Sequence, residues 1–118
     1  MSLKVYAYKG CGTCKKATQW LRQYGIPYEE VPIRETPPGP AELKRMLKAV
    51  DGDVRKLFNS SGSDYKAMNL RARVPSMSKE NALKLLAENG NLVKRPFVIG
   101  PEVCLIGFNE ALWNATLR

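Results

Sequence analysis

The chain contains no histidine. That removes the side chain most used as a general base near neutral pH and the most common nitrogen ligand for zinc. Long apolar runs are missing as well: nothing approaches the ~20 consecutive residues that a membrane-spanning helix needs. Met1-Ser2-Leu3-Lys4 leads directly into a strand pattern without a secretory leader, so a cytoplasmic protein with no membrane contact is expected. Cysteine is scarce, at three residues, too few for the disulfide framework of a small secreted domain. A zinc site built from Cys11, Cys14 and Cys104 would need a carboxylate as fourth ligand, an uncommon set, so no metal is expected. Acidic residues are outnumbered, 11 against 19 basic ones, for a net charge of +8. Such a balance favours acidic partners. The basic residues are nevertheless dispersed, with no run of five, and read as a solvated surface without direct nucleic-acid binding.

What is present suffices for one folded domain over residues 1–118, with 44% hydrophobic and 25% charged residues. Leu3, Val5 and Ala7 alternate with Lys4, Tyr6 and Tyr8 as a strand. Cys11-Gly12-Thr13-Cys14 follows and opens an amphipathic helix. Ala17, Trp20, Leu21 and Tyr24 form its apolar face and Gly25 its stop, which places Trp20 and Tyr24 in the core. A second strand spans roughly Tyr28–Val31, bounded by Pro27 and Pro32. Beyond the break at Pro37-Pro38-Gly39-Pro40 comes a helical insertion, at about 37–90. It has a first helix carrying Leu43, Met46, Leu47 and Val50, short helical pieces near Val54–Phe58 and Asp64–Met68, and a helix capped by Ser78 and closed by Asn89-Gly90. Lys94–Gly100, a strand entered through Pro96, and Glu102–Ile106 read as a hairpin turning at Gly100-Pro101. Asn109 caps a last helix bearing Leu112, Ala115 and Thr116, with Trp113 partly exposed. The fold class is α/β, ordered β-α-β, helical insertion, β-β-α.

The cysteine pair carries the chemistry. Two sulfurs in a CxxC at a strand-to-helix turn can close a small disulfide. The unpaired N–H groups and positive dipole end of the helix favour a thiolate at the first sulfur, assisted by Lys15, Lys16 and Arg95. Cys11 is the expected attacking thiol and Cys14, one turn in, the resolving one. Gly12, Thr13 and Lys15 lie where a substrate would meet Cys11. Arg95 suits a carboxylate, an oxidised thiol or the thiolate itself. Asn59 and Ser60 add neutral hydrogen bonds if their loop folds toward the cysteines. Cys104, alternating with Val103 and Leu105, reads as a buried structural thiol.

In this order the residues resemble the arsenate reductase-like (ArsC/Spx) family. The likeness runs through Lys15-Lys16-Ala17, Leu57-Phe58-Asn59-Ser60-Ser61-Gly62 with Tyr65, and Val74-Pro75-Ser76-Met77-Ser78. It continues in Leu85-Leu86-Ala87-Glu88-Asn89-Gly90, Lys94-Arg95-Pro96 and Gly107-Phe108-Asn109-Glu110. The resemblance implies a thioredoxin-like fold with a mixed four-stranded sheet and a cis Pro96 facing the cysteines, where a strand edge can pair with a peptide or glutathione backbone. In the family's arsenate reductases a cysteine near Cys11 attacks arsenate, three arginines cradle the oxyanion and glutathione resolves the adduct. Here Arg95 matches one arginine, while the other two positions fall at Asn59 and Gly107. The family's histidine near the nucleophile has no counterpart, so arsenate is not the expected substrate. The Spx-type regulators carry a CxxC switch at the same place and bind the RNA polymerase α subunit. The pair thus serves equally a thiol-dependent oxidoreductase, whose partner is glutathione or a thiol protein with no bound cofactor, and a redox-switched regulator of transcription.

Overall fold

The computed structural model describes residues 3–118; Met1 and Ser2, read above as the lead into the first strand, lie outside the described residues. Four strands form one mixed sheet in the order β2-β1-β3-β4. β1 (Leu3–Ala7) runs parallel to β2 (Tyr28–Pro32), with Leu3 opposite Tyr28 and Ala7 opposite Pro32. β3 (Phe97–Gly100) is antiparallel to β1, Val98 facing Val5, and turns through Pro101-Glu102 into its antiparallel partner β4 (Val103–Ile106). A parallel pair needs a crossover, which α1 (Gly12–Gln23) supplies; an antiparallel pair needs only a turn. β2 extends one residue further than expected, through Pro32. As an edge strand it tolerates proline, and Ile33 N–H continues the pairing by donating to the Ala7 carbonyl at 3.0 Å.

The segment between β2 and β3 contains α2 (Pro40–Ala49), α3 (Ser63–Ala67), α4 (Leu70–Arg73) and α5 (Lys79–Glu88). It also holds 3-10 turns at Val54–Leu57, Val74–Ser76 and Gly90–Leu92. α4 and the last two turns were not expected. They are too short to show a period, and Leu70 and Val74 are the only buried side chains between residues 69 and 76. α6 (Glu110–Leu117) closes the chain, with Asn109 accepting from Leu112 N–H as its cap.

Both sheet faces are covered. Leu3, Val5, Ala7, Val98 and Leu105 pack against Ala17, Trp20 and Leu21 of α1 and Trp113 of α6. Tyr6, Phe97 and Ile99 point the other way, against Leu43 and Met46 of α2 and Leu83 and Leu86 of α5. Two expectations about aromatics reverse. Trp113 is buried, edge-on to Phe108 at 4.8 Å and to Trp20 at 5.7 Å, whereas Tyr24 is 36% exposed and lies under the Arg118 guanidinium at 3.9 Å. Leu112 and Trp113 are adjacent, so a single helix face buries only one. The larger ring fills the space beside Trp20, and Leu112 is left 52% exposed.

A polar link ties the insertion to the sheet. Glu42 of α2 accepts from the Tyr6 hydroxyl and from Lys4 Nζ at 3.0 Å. Burial alone would raise the Glu42 carboxyl; the Tyr6, Lys4 and Gly39 donors outweigh it and hold the group below its ordinary 4.5. The folded chain therefore binds this proton less tightly than the unfolded one. The stabilisation is complete above pH 4.5 and disappears as the pH falls through the lower folded value. Glu42→Gln is expected to cost about 1–2 kcal/mol at pH 7 and less at pH 3. Urea unfolding at the two pH values checks this, and an equal deficit at both would contradict it.

Candidate active site

β1 delivers the chain to a turn in which Cys11 N–H donates to the Tyr8 carbonyl at 3.0 Å. Cys11 then serves as the N-cap of α1: its Sγ accepts from Cys14 N–H at 3.3 Å, in the role serine or aspartate more often fills. The sulfur therefore stands where the unpaired N–H groups and the dipole of a helix start converge. Cys11 is half-buried at the mouth of a cleft, whereas Cys14 is buried, and both thiols are free. Burial pushes the Cys14 thiol up to about 12, as does its contact with Cys11. Tyr8 backbone hydrogen bonding and the Arg95 charge oppose the rise. One sulfur is thus presented to solvent and the other is held protonated behind it.

The cleft has a volume of about 720 Å³. Cys11 and Thr13 from the start of α1 line it with Asn59 and Ser61, Lys94 and Arg95, and Gly107 and Asn109, while Ile106, Phe108 and Leu112 form an apolar side. The Asn59 loop is brought there by backbone pairing: Asn59 N–H donates to the Leu92 carbonyl at 2.7 Å and Lys94 N–H to the Leu57 carbonyl at 2.9 Å. The Arg95–Pro96 peptide is cis, and the Pro96 carbonyl accepts from Gly107 N–H at 2.8 Å. The Arg95 guanidinium lies over the Tyr8 ring at 5.2 Å, and its Nη1 is buried with no acceptor among the described residues.

Cys11, Thr13, Asn59 and Arg95 therefore converge, with Cys14 directly behind Cys11. Gly12 is exposed off the cleft and Pro96 is buried beneath it. Lys15 is exposed and lines a neighbouring cleft with Cys14, Thr18 and Glu30, outside the one that Cys11 opens into, and the Arg95 charge acts on Cys14. Ser61, rather than Ser60, reaches the cleft, because the turn closed by Gly62 N–H donating to the Asn59 carbonyl points Ser60 outward. Cys104 departs from its reading as a buried thiol. It is half-buried on β4 and packs with the insertion, on the sheet face opposite Cys11 and Cys14. Accordingly, no group of three Cys, Asp or Glu among the described residues is placed to hold a metal ion.

Tyr8, Ser61, Lys94, Phe108 and Leu112 were missed as site residues. Lys94 had a signal in its position next to Arg95; Tyr8 read only as the polar side of a strand. Among the described residues no helix is long and apolar enough to cross a membrane.

The sequence profile of the ArsC family matches residues 6–116. The uncharacterized protein YusI of Bacillus subtilis is 42% identical over 110 residues, covering 93% of each chain. The global transcriptional regulator Spx 2 of Lactococcus lactis is 28% identical over 108 residues, covering 92% of this chain and 80% of its own. The crystal structure of an ArsC family related protein from Bacteroides fragilis shares 37% identity and superposes with a TM-score of 0.91, covering 98% of this chain and 97% of that one.

Proposed function

The chain belongs to the ArsC family, and from that premise we propose that it is a thiol–disulfide oxidoreductase in which Cys11 attacks and Cys14 resolves. The observation that carries this reading is the asymmetry of the pair: Cys11 open to the cleft under an N–H bond from Cys14, Cys14 buried with its thiol pushed up to about 12. The Cys11 thiolate attacks one sulfur of a partner disulfide. The partner's S–S bond breaks, one partner thiolate leaves and takes a proton from water, and a mixed disulfide forms on Cys11. Cys14 then gives up its proton and attacks the Cys11 sulfur, which releases the second partner thiolate and leaves a Cys11–Cys14 disulfide. The partner gains two electrons and the pair loses them. Glutathione or a dithiol protein restores the pair, as a reducing compartment such as the cytoplasm would allow.

Arsenate is not the substrate we assign. Asn59 and Gly107 stand at two of the three arginine positions that the family resemblance associates with the oxyanion, so most of the charge-assisted binding is lost.

The test is a trap. Cys14→Ser incubated with oxidised glutathione is expected to accumulate one glutathione on Cys11, read by peptide mass, while the parent protein releases it. If Cys11 in that variant stays a free thiol, the assignment is wrong.

A second reading is favoured by the likeness to Spx 2, a global transcriptional regulator: the same pair as a redox switch on a regulator that binds the RNA polymerase α subunit, as the family resemblance implies. Binding of purified α subunit that changes between the reduced and oxidised chain would select it.

A further inference from the structure

α5 carries apolar side chains on two of its sides. Ala82, Leu83 and Leu86 are buried in the core of the insertion. Asn81, Lys84, Leu85 and Glu88 recur at i, i+3, i+4 and i+7 and so share a second face. On a helix with one buried side, that second face should be polar throughout. Leu85 is the exception, and it is half-buried while its three neighbours on the face are exposed. Met77, just after the Val74–Ser76 turn, is half-buried beside the same groove. The groove encloses about 530 Å³, and none of its lining residues also lines the Cys11 cleft.

The groove is set in a cationic surface. Residues 66–84 carry Lys66, Arg71, Arg73, Lys79 and Lys84 against the single acid Glu80, and all these cations are exposed. None of them belongs to an ion pair among the described residues. Arg73 and Lys84 line the groove itself. Nη1 of Arg73 donates to the Met68 carbonyl at 3.2 Å, which orients the guanidinium and leaves its other N–H groups for a carboxylate. Ser76 and Asn81 add neutral hydrogen-bonding groups that suit a peptide backbone. A nucleic acid would ask for a different lining, with cations uninterrupted along its phosphates and rings to stack on its bases. Here Glu88 interrupts the cations, and no aromatic ring among the described residues lines the groove.

We propose that the groove between α5 and the Val74–Ser76 turn docks an acidic amphipathic segment of another protein. Its aliphatic side chains enter over Met77 and Leu85, and its carboxylates meet Arg73 and Lys84. Apolar anchors supply the affinity of such a helix-in-groove contact, and complementary charge sets its approach and register. The groove stands apart from Cys11 and Cys14, and docking there needs neither thiol.

The test uses the full chain and a fluorescein-labelled peptide built of Leu-Glu-Glu-Leu repeats, with binding read by anisotropy at about 0.15 M salt, where exposed charges more than about 8 Å apart are screened. Binding is expected, weaker as salt rises, and lost when Gln replaces every Glu of the peptide or Ser every Leu. Arg73→Gln combined with Lys84→Gln is expected to weaken it about tenfold. Leu85→Ser is expected to do so by a similar factor. Lys44→Gln combined with Lys48→Gln removes two charges from the exposed face of α2 and is expected to leave affinity within about twofold. Arg73 and Lys84 are exposed, so their variant decides alone should Leu85→Ser fail to fold.

No binding of the peptide, or equal binding of its Gln or Ser form, overturns the docking groove. Equal weakening by the α2 variant overturns it as well, since diffuse charge would then account for the affinity. Polyuridine is the competing occupant. If it displaces the peptide and loses the same affinity in the Arg73/Lys84 variant, the surface belongs to nucleic acid and the peptide assignment is wrong.

Discussion

Cys11→Ser is expected to reduce disulfide exchange on the order of a thousandfold or more, whereas Cys14→Ser stops only the second step. The two sulfurs sit one helical turn apart yet occupy opposite electrostatic positions. Cys11 caps α1 and faces solvent; Cys14 is packed among Leu3, Val5 and Ala7 of β1 and Leu21 of α1. Forming a thiolate at Cys14 means placing charge in that apolar layer, which is the first reason its thiol is pushed up to about 12. The sign of the pH dependence follows. Because the ordinary value of 9.0 is raised, Cys14 is protonated throughout the neutral range, and its reactive fraction grows with pH. Release of the second partner thiol should therefore accelerate about tenfold per pH unit between roughly pH 7 and 9. Stopped-flow decay of a preformed Cys11 mixed disulfide measures this step alone. A release rate flat across that range would remove Cys14 from the resolving role, and full exchange activity in Cys11→Ser would remove Cys11 from the attack.

The second large effect is on stability. Gly90→Ala is expected to cost about 3 kcal/mol or more and to lower the melting temperature by roughly 10 °C or more. The constraint is room. The turn at Gly90–Leu92 crosses the chain just after β2, where a β-carbon on residue 90 would overlap the Ile33 carbonyl oxygen and crowd Arg34 Cα at 3.1 Å. Both obstacles are backbone, so relief needs one segment to move. The movement would reach the cleft. Asn89 and Asn91 donate to Asp64 at 3.3 and 3.2 Å, and the Leu92 carbonyl holds Asn59. Gly12→Ala is the control: an exposed glycine in the first turn of α1 with nothing within 4 Å of an added β-carbon, it should stay within about 0.5 kcal/mol of the parent. Scanning calorimetry of both variants tests the contrast, and equal melting temperatures would refute the crowding argument.

Gly90 also shows how far sequence carries. Asn89-Gly90 marks the end of α5 correctly, since the helix closes at Glu88. The physical demand on the glycine nevertheless comes from Ile33, 57 positions away in the chain. α6 has the same character. Its cap at Asn109 is visible in three residues. The choice between Leu112 and Trp113 as the buried one depends on Trp20 and Phe108 already standing in that space. Cys104 alternates as a core residue should, but β4 is an edge strand, which leaves its thiol half-covered.

Sequence alone determined the interactions that close within a turn or two. These are the strand leading to Cys11, the helix starting on its sulfur, the caps at Ser78 and Asn109, and the β3–β4 hairpin. Such features depend on backbone groups only a few residues apart, so residue type and spacing carry them. Tertiary structure decided which side chains share the cleft with that sulfur. Pairing of Phe58 with Val93 and of β3 with β1 brings Asn59, Lys94, Arg95 and Tyr8 to one wall. It also leaves Lys15, four residues from Cys11, facing another. Proximity across a sheet is set by strand order and register, and no local spacing encodes either.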